Sequence, residues 1–267
     1  MAAFTKRTLG ATGLKVGPLG VAASYGAPAE AFEAAFKKGC NYFYLGSGRH
    51  KAGMSQAIRN LCRQGQRDRL VVAIQTYARF GFLTEWIFKR RLKSMGLKQA
   101  DILILGLHNR RPAPGLVKRA QAIKDKGLCR YLAMSGHQRK LFPKMTAAGQ
   151  FDLFHVRYNA VHRGAEEEIF PHLQGDERPG MVTYTATRWG QLLNPKKIPP
   201  AESVPAPSDC YRFVLSNPAV DVCLCGPKNM DQMLSALPAL ELGPLGEGDM
   251  ERMRRIGDYV HGHTRIF

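Results

Sequence analysis

Two phenols and an imidazole, Tyr44, Tyr77 and His108, close three successive apolar runs, and all three are groups that can give up or accept a proton. The runs are residues 41–44, 71–77 and 101–108; two further runs, 130–135 and 152–155, end on Ser135 and His155. A run with no polar face is expected to be buried on both sides, as parallel strands are beneath a cover of helices. In a closed barrel of strand-helix units, the residues just past the strands build the active site. Tyr44, Tyr77 and His108 are therefore expected to come from neighbouring strands and to converge at one open rim.

The elements that would position them follow from patterning. Arg7 to Val16 reads as a hairpin with a glycine-containing connection, and a first inner strand covers about Pro18 to Ser24. Pro28 to Lys38 has helical spacing through Ala31, Phe32, Ala35 and Phe36, and stops at Gly39. After strand two a helix covers about Ala52 to Gln64. Thr84 is the expected N-cap of a helix from Glu85 to Met95. Strand four runs to His108, and Pro112 and Pro114 open a helix that ends near Gly127. Strand five (131–135), a helix (138–148), strand six ending near His155, acidic Glu166 to Glu168 at a helix start, and strand seven (181–185) come next. Asn194 to Ser208, with five prolines, is expected to be a rigid loop that partly covers the mouth. A helix (210–215), strand eight (220–225), a helix (230–237) and an added helix (247–260) complete the chain. Eight strand-helix pairs predict an α/β (β/α)8 TIM barrel with an N-terminal β-hairpin and an extra C-terminal helix, as one domain over residues 1–267.

With 45% hydrophobic and 22% charged residues the composition is that of a globular protein, and 267 residues suffice for a large core. The N-terminal residues lack the apolar core of a secretory leader. No run approaches the roughly 20 apolar residues of a membrane span, so a cytoplasmic protein is expected. Six cysteines with no C-x-x-C pair and no zinc-like His spacing are expected to be reduced, buried thiols, with no metal. The net charge of +18 is concentrated: residues 40–149 hold 22 Lys and Arg against four carboxylates, and the rest of the chain is balanced. In a barrel this window forms one positive flank, suited to an anionic substrate or an acidic partner, or simply solvated. No nucleic-acid motif accompanies it, so nucleic-acid binding would be unspecific.

Residues 7–16, residues 152–159 with Arg163 and Glu166 to Glu168, and residues 213–218 together resemble the aldo-keto reductases, in order and over nearly the whole chain. The resemblance implies a barrel that binds NADP(H) across the carboxyl ends of its strands and transfers hydride to a carbonyl. The family's tetrad is Asp, Tyr, Lys and His, and this chain departs from most of it. Tyr44 stands where the family has its Asp, Arg49 where it has its acid Tyr, and Tyr77 where it has its Lys; His108 keeps its place. Losing the ion pair that lowers the phenol pKa from about 10 removes that tuning. A replacement acid is then needed from His108, Tyr77 or Tyr44, with Arg49 placed to stabilise an oxyanion; the alternative is that Tyr44 and Tyr77 only fill the space of the lost pair. For the cofactor, Ser135 and Tyr184 match the family's nicotinamide contacts, whereas Gly136 and His155 depart. Lys228, Asn229 and Gln232 resemble the segment that grips the adenosine phosphate, and Lys228 beside a helix start suits an anion.

Three functions remain open on this reading. One is an NADP(H)-dependent oxidoreductase with a non-standard proton donor, acting on a small carbonyl or related substrate. The second is a cofactor-independent dehydratase or isomerase on the same barrel. The third is a non-catalytic protein that docks an acidic partner, such as a carrier protein, through the basic flank.

Overall fold

The computed structural model describes residues 2–46 and 50–263. Arg49 lies outside the described residues, so its expected role has no structural counterpart here.

A two-stranded antiparallel hairpin, β1 (Arg7–Thr8) and β2 (Lys15–Val16), precedes eight parallel strands. These are β3 (Leu19–Ala22), β4 (Tyr42–Leu45), β5 (Val71–Thr76), β6 (Ala100–Leu105), β7 (Cys129–Gly136), β8 (Leu153–Arg157), β9 (Gly180–Tyr184) and β10 (Val222–Cys225). They pair in chain order, and β10 pairs with β3 to close the barrel. The outer helices are α1 (Ala29–Lys37), α2 (Ala52–Arg63), α3 (Gly81–Met95), α4 (Pro114–Asp125), α5 (Leu141–Ala147), α6 (Ala165–Glu168), α7 (Pro207–Leu215) and α8 (Met230–Ala236). Beyond them lie α9 (Pro238–Leu242) and α10 (Glu247–His263). The fold class expected from the apolar runs is the one observed.

Alternation along each strand splits the core in two. One set of residues packs outward beneath the helices, and includes Phe32, Phe43, Phe88, Leu103 and Phe154. The other fills the barrel interior: Tyr42, Ala73, Ile102, Ile104, Ala133, Leu153, Val182 and Val222. Leu9, Leu14 and Val16 of the hairpin join this inner set, so the hairpin plugs the amino end. Arg7 fastens it by donating to the carbonyls of Val220 and Leu215, and Tyr131 donates to Thr12 O at 2.5 Å. With one end sealed, the carboxyl rim is left to bind.

Two local expectations are corrected. Helix α3 starts at Gly81, a full turn before Thr84, and the Thr84 hydroxyl donates back to Phe80 O at 3.1 Å instead of capping the helix. The proline-rich stretch does not cover the mouth. It is drawn onto α10, where Arg252 and Arg255 reach Glu202 at 3.0 and 3.2 Å and Arg252 also donates to Ser203. The cysteines are free thiols, five of them buried and Cys62 partly so. Among the described residues no helix is long and apolar enough to cross a membrane, and no group of three or more His, Cys, Asp or Glu could hold a metal ion.

Candidate active site

Each strand that faces inward at one position faces inward again two residues later. That rule carries Tyr44, Gln75, Ser135, His155 and Tyr184 up the barrel interior. At the carboxyl rim it opens a cavity of about 340 Å³, within the range of small-molecule sites. Tyr44, Gln75, Tyr77, Leu107, Ser135, His137, Tyr184 and Trp189 are among its walls.

The floor is a polar network. Gln75, buried in β5, accepts at Oε1 from the Tyr44 hydroxyl at 2.9 Å and from the Ser135 hydroxyl at 3.4 Å. Ser135 Oγ in turn accepts from the Leu107 backbone N–H at 3.0 Å. On the opposite wall the Tyr184 hydroxyl donates to Gly136 O at 3.2 Å and lies the same distance from His137 Nδ1. Burial raises the Tyr44 phenol well above its ordinary pKa, reinforced by neighbouring Tyr77 and Tyr184. Burial likewise raises Tyr184, which Arg157 partly counters. Both are therefore neutral O–H groups at physiological pH.

The convergence expected of Tyr44, Tyr77 and His108 is met by the two tyrosines alone. Had β6 kept its alternation past Ile104 and Gly106, His108 would also point inward. Instead Leu107 takes φ +53°, and the change of hand turns Leu107 into the cavity and His108 out of it. His108 lies in a neighbouring cleft with Arg79, Asn109 and Pro112, its Nε2 2.9 Å from Arg79 Nη1. Burial, and then the Arg79 charge, lower its pKa to about 4.

The residues expected to bind cofactor also divide. Ser135 and Tyr184 line the cavity. His155 does not: it is sealed below, its Nε2 2.8 Å from the Tyr42 hydroxyl and its ring 5.5 Å from that of Tyr44, with burial lowering its pKa to about 3. Gly136 is bare because a Cβ there would stand 2.2 Å from His108 O, so this backbone has no room for an Asn. Lys228, Asn229 and Gln232 are exposed, and the last two spend their side chains on the start of α8. Gln232 Oε1 accepts from Lys228 N and Asn229 Oδ1 accepts from Gln232 N, both at 2.9 Å.

Sequence reasoning missed Gln75. Its signal was available: a carboxamide at the penultimate position of an otherwise apolar strand, on the same face as Tyr77. It also missed the strain. All four non-glycine residues with positive φ among the described residues, Leu107, Thr185, Arg188 and Trp189, sit at this rim. Each costs on the order of 1–3 kcal/mol, and strain of this kind gathers at functional sites.

By sequence, the chain matches no family model and no curated protein. By structure it is similar to the aldo-keto reductase AKR11C1 from Bacillus halodurans. For the holo form of that protein the TM-score is 0.78 at 17% identity, covering 94% of this chain and 96% of that one. For its apo form the TM-score is 0.76 at 17% identity, covering 94% and 95%. The chain thus has the fold of the aldo-keto reductases.

Proposed function

We propose that the protein is an aldo-keto-reductase-like oxidoreductase that uses NADP(H) to reduce a small carbonyl compound, with Tyr77 as the proton donor. The observation that carries this reading is a single cavity at the carboxyl rim of an aldo-keto reductase fold in which phenols, a hydroxyl and a carboxamide converge. The cavity suits a nicotinamide ring by shape and chemistry. Tyr184 supplies an aromatic wall, and Ser135 and Gln75 supply polar groups for an amide. Thr185 and Thr187 also line the cavity and would offer hydroxyl groups to a bound cofactor. When bound, a dihydronicotinamide would supply the hydride that converts the carbonyl to an alcohol.

The chain's own task is the proton. Tyr44 already donates its hydrogen to Gln75, and His108 faces another cleft, whereas the Tyr77 side chain is 41% exposed beside Tyr44 at the cavity. Tyr77 Oη therefore gives its proton to the developing alkoxide, and Tyr44, pinned by Gln75, orients it. Among the described residues no carboxylate or lysine lines this cavity to lower a phenol pKa, so turnover is slow compared with a tuned acid, which supplies a factor of about 10² to 10⁴. Trp189, 53% exposed at the rim, shields the site from one side.

Titration with NADPH tests the reading. Trp189 is one of two tryptophans, and the other, Trp86, lies on α3. Saturation is expected to quench up to about half of the intrinsic emission, and Trp189→Phe is expected to abolish the response. No binding at millimolar NADPH overturns the proposal.

A further inference from the structure

The three most exposed large apolar side chains among the described residues stand together beside the cavity mouth. Phe80 and Phe82, at the start of α3, are 65% and 70% exposed, and their rings stack with centres 6.2 Å apart. Trp86, 56% exposed, follows Phe82 one helical turn later on the same face of α3. Tyr77 and Leu107, also exposed, carry this surface into the wall of the cavity.

Cations edge the aromatic surface and no carboxylate answers them. Arg90 holds its guanidinium 5.4 Å from the Trp86 ring centre. Arg79 spends its donors on neutral acceptors, the carbonyls of Gly106 and Leu107 at 2.9 and 2.8 Å and the ring of His108 at 2.9 Å, so its charge stays uncompensated. Arg110 and Arg111 share a cleft with Arg79 and Leu107, are exposed, and make no hydrogen bond or ion pair among the described residues. The one acid of α3, Glu85, is buried and already holds Lys89, Lys126 and Arg119 at 2.9, 2.8 and 3.3 Å. All of these residues lie in the basic window 40–149, whose field draws the chain toward negative surfaces.

A contiguous group of exposed aromatic rings marks a surface that something covers. A second copy is disfavoured, because a two-fold interface sets the same patch against itself and would bring the uncompensated arginines face to face. An anionic bilayer meets both halves of the pattern. Its acyl boundary moulds around projecting phenyl rings, an indole sits at headgroup level, and arginines beside them are drawn to the lipid charge.

We propose that Phe80, Phe82 and Trp86, with Arg79, Arg90, Arg110 and Arg111, dock the protein on an anionic lipid surface. Because Tyr77 and Leu107 belong to both this patch and the cavity, docking sets the mouth beside the bilayer, open to molecules held in it. The inference is independent of the redox reading. Lipid binding is measured without nicotinamide or substrate, so its failure and the failure of the NADPH titration are separate results.

The test is co-sedimentation with phosphatidylcholine vesicles, with and without about 30 mol% phosphatidylserine. Wild type is expected to sediment with the anionic vesicles and to be released by about 0.5 M salt, where screening lengths fall well below 10 Å. The double variant Phe80→Ser, Phe82→Ser is expected to bind about tenfold more weakly or worse, since affinity follows the apolar area inserted. Both rings face water and Ser is a good N-cap at position 80, so the fold is kept. Leu234→Ser, which removes an equally solvent-facing apolar group from α8, is expected to bind like wild type. In Trp189→Phe the sole tryptophan is Trp86, and its emission is expected to shift to the blue on anionic vesicles. Absence of sedimentation, undiminished binding by the double variant, or an unshifted Trp86 emission overturns the proposal. So does a wild-type dimer that the double variant dissolves, which assigns the face to a second copy, or retention of polyuridylate without vesicle binding, which assigns it to RNA.

Discussion

Replacing Tyr44 by Phe removes the shorter of the two hydrogen bonds to Gln75 Oε1 and leaves that buried oxygen with the Ser135 contact at 3.4 Å. A net hydrogen bond is worth roughly 0.5–1.5 kcal/mol, and orphaning a buried acceptor costs about 1–3 kcal/mol. Because Tyr44 lines an open cavity, water can reach the vacated place, so the low end applies: about 1–1.5 kcal/mol. Gln75→Leu removes the acceptor instead. It also disturbs the packing of the amide on Gly106, where a Cβ would stand 2.6 Å from Gln75 Nε2, so its loss is larger, about 2 kcal/mol. If one bond joins the two side chains, the double variant loses about 1 kcal/mol less than the sum of the single ones. For domains of 150–250 residues 1 kcal/mol moves Tm by roughly 2–4 °C, and this chain belongs at the lower end. Urea and thermal unfolding of the four proteins, followed by circular dichroism at pH 7, measure the cycle. Additivity within about 0.3 kcal/mol would refute the network, and with it the claim that Gln75 holds Tyr44 in place.

Two further outcomes follow from the same geometry. With any aldehyde the wild type reduces, Tyr77→Phe is expected to lower kcat by about 10²-fold or more, whereas His108→Ala leaves it within a few-fold; the reverse ranking returns the proton to the imidazole. Acid sensitivity supplies the other. The folded-state pKa values of His108, His155 and His162 are depressed to about 4, 3 and 3, mainly by burial, against about 6.5 in the unfolded chain. Above pH 6.5 these rings are neutral in both states and their contribution is fully present. Below it the unfolded chain takes up protons that the folded one refuses, so stability falls steadily toward pH 4. Urea midpoints from pH 7.5 to 4 read the slope, which His155→Gln is expected to lessen by about one proton's worth; an unchanged slope would mean that His155 protonates freely in the fold.

The apolar runs and their period were enough to establish eight strands, the closing helices and the hairpin, because a strand buried on both faces has no other stable home than a covered parallel sheet. Ser135 and Tyr184 were pointed to by the resemblance to the aldo-keto reductases, and both line the cavity beside Tyr44. What letters could not carry was the handedness of single residues and the depth of each side chain. Leu107 gives no sign in sequence that it takes a positive φ, yet that one torsion sends His108 into a different cleft. His155 and Tyr184 look equally inward, but His155 sits lower and is sealed under Tyr44, a matter of register in a tilted barrel. The segments of Arg157 and Arg188 are separate along the chain, and only closure of β8 against β9 and the turns above them brings those segments together. Local pattern decides which elements form, since it is written in neighbouring residues; which groups meet is decided by backbone turns and strand offsets that depend on the whole barrel at once.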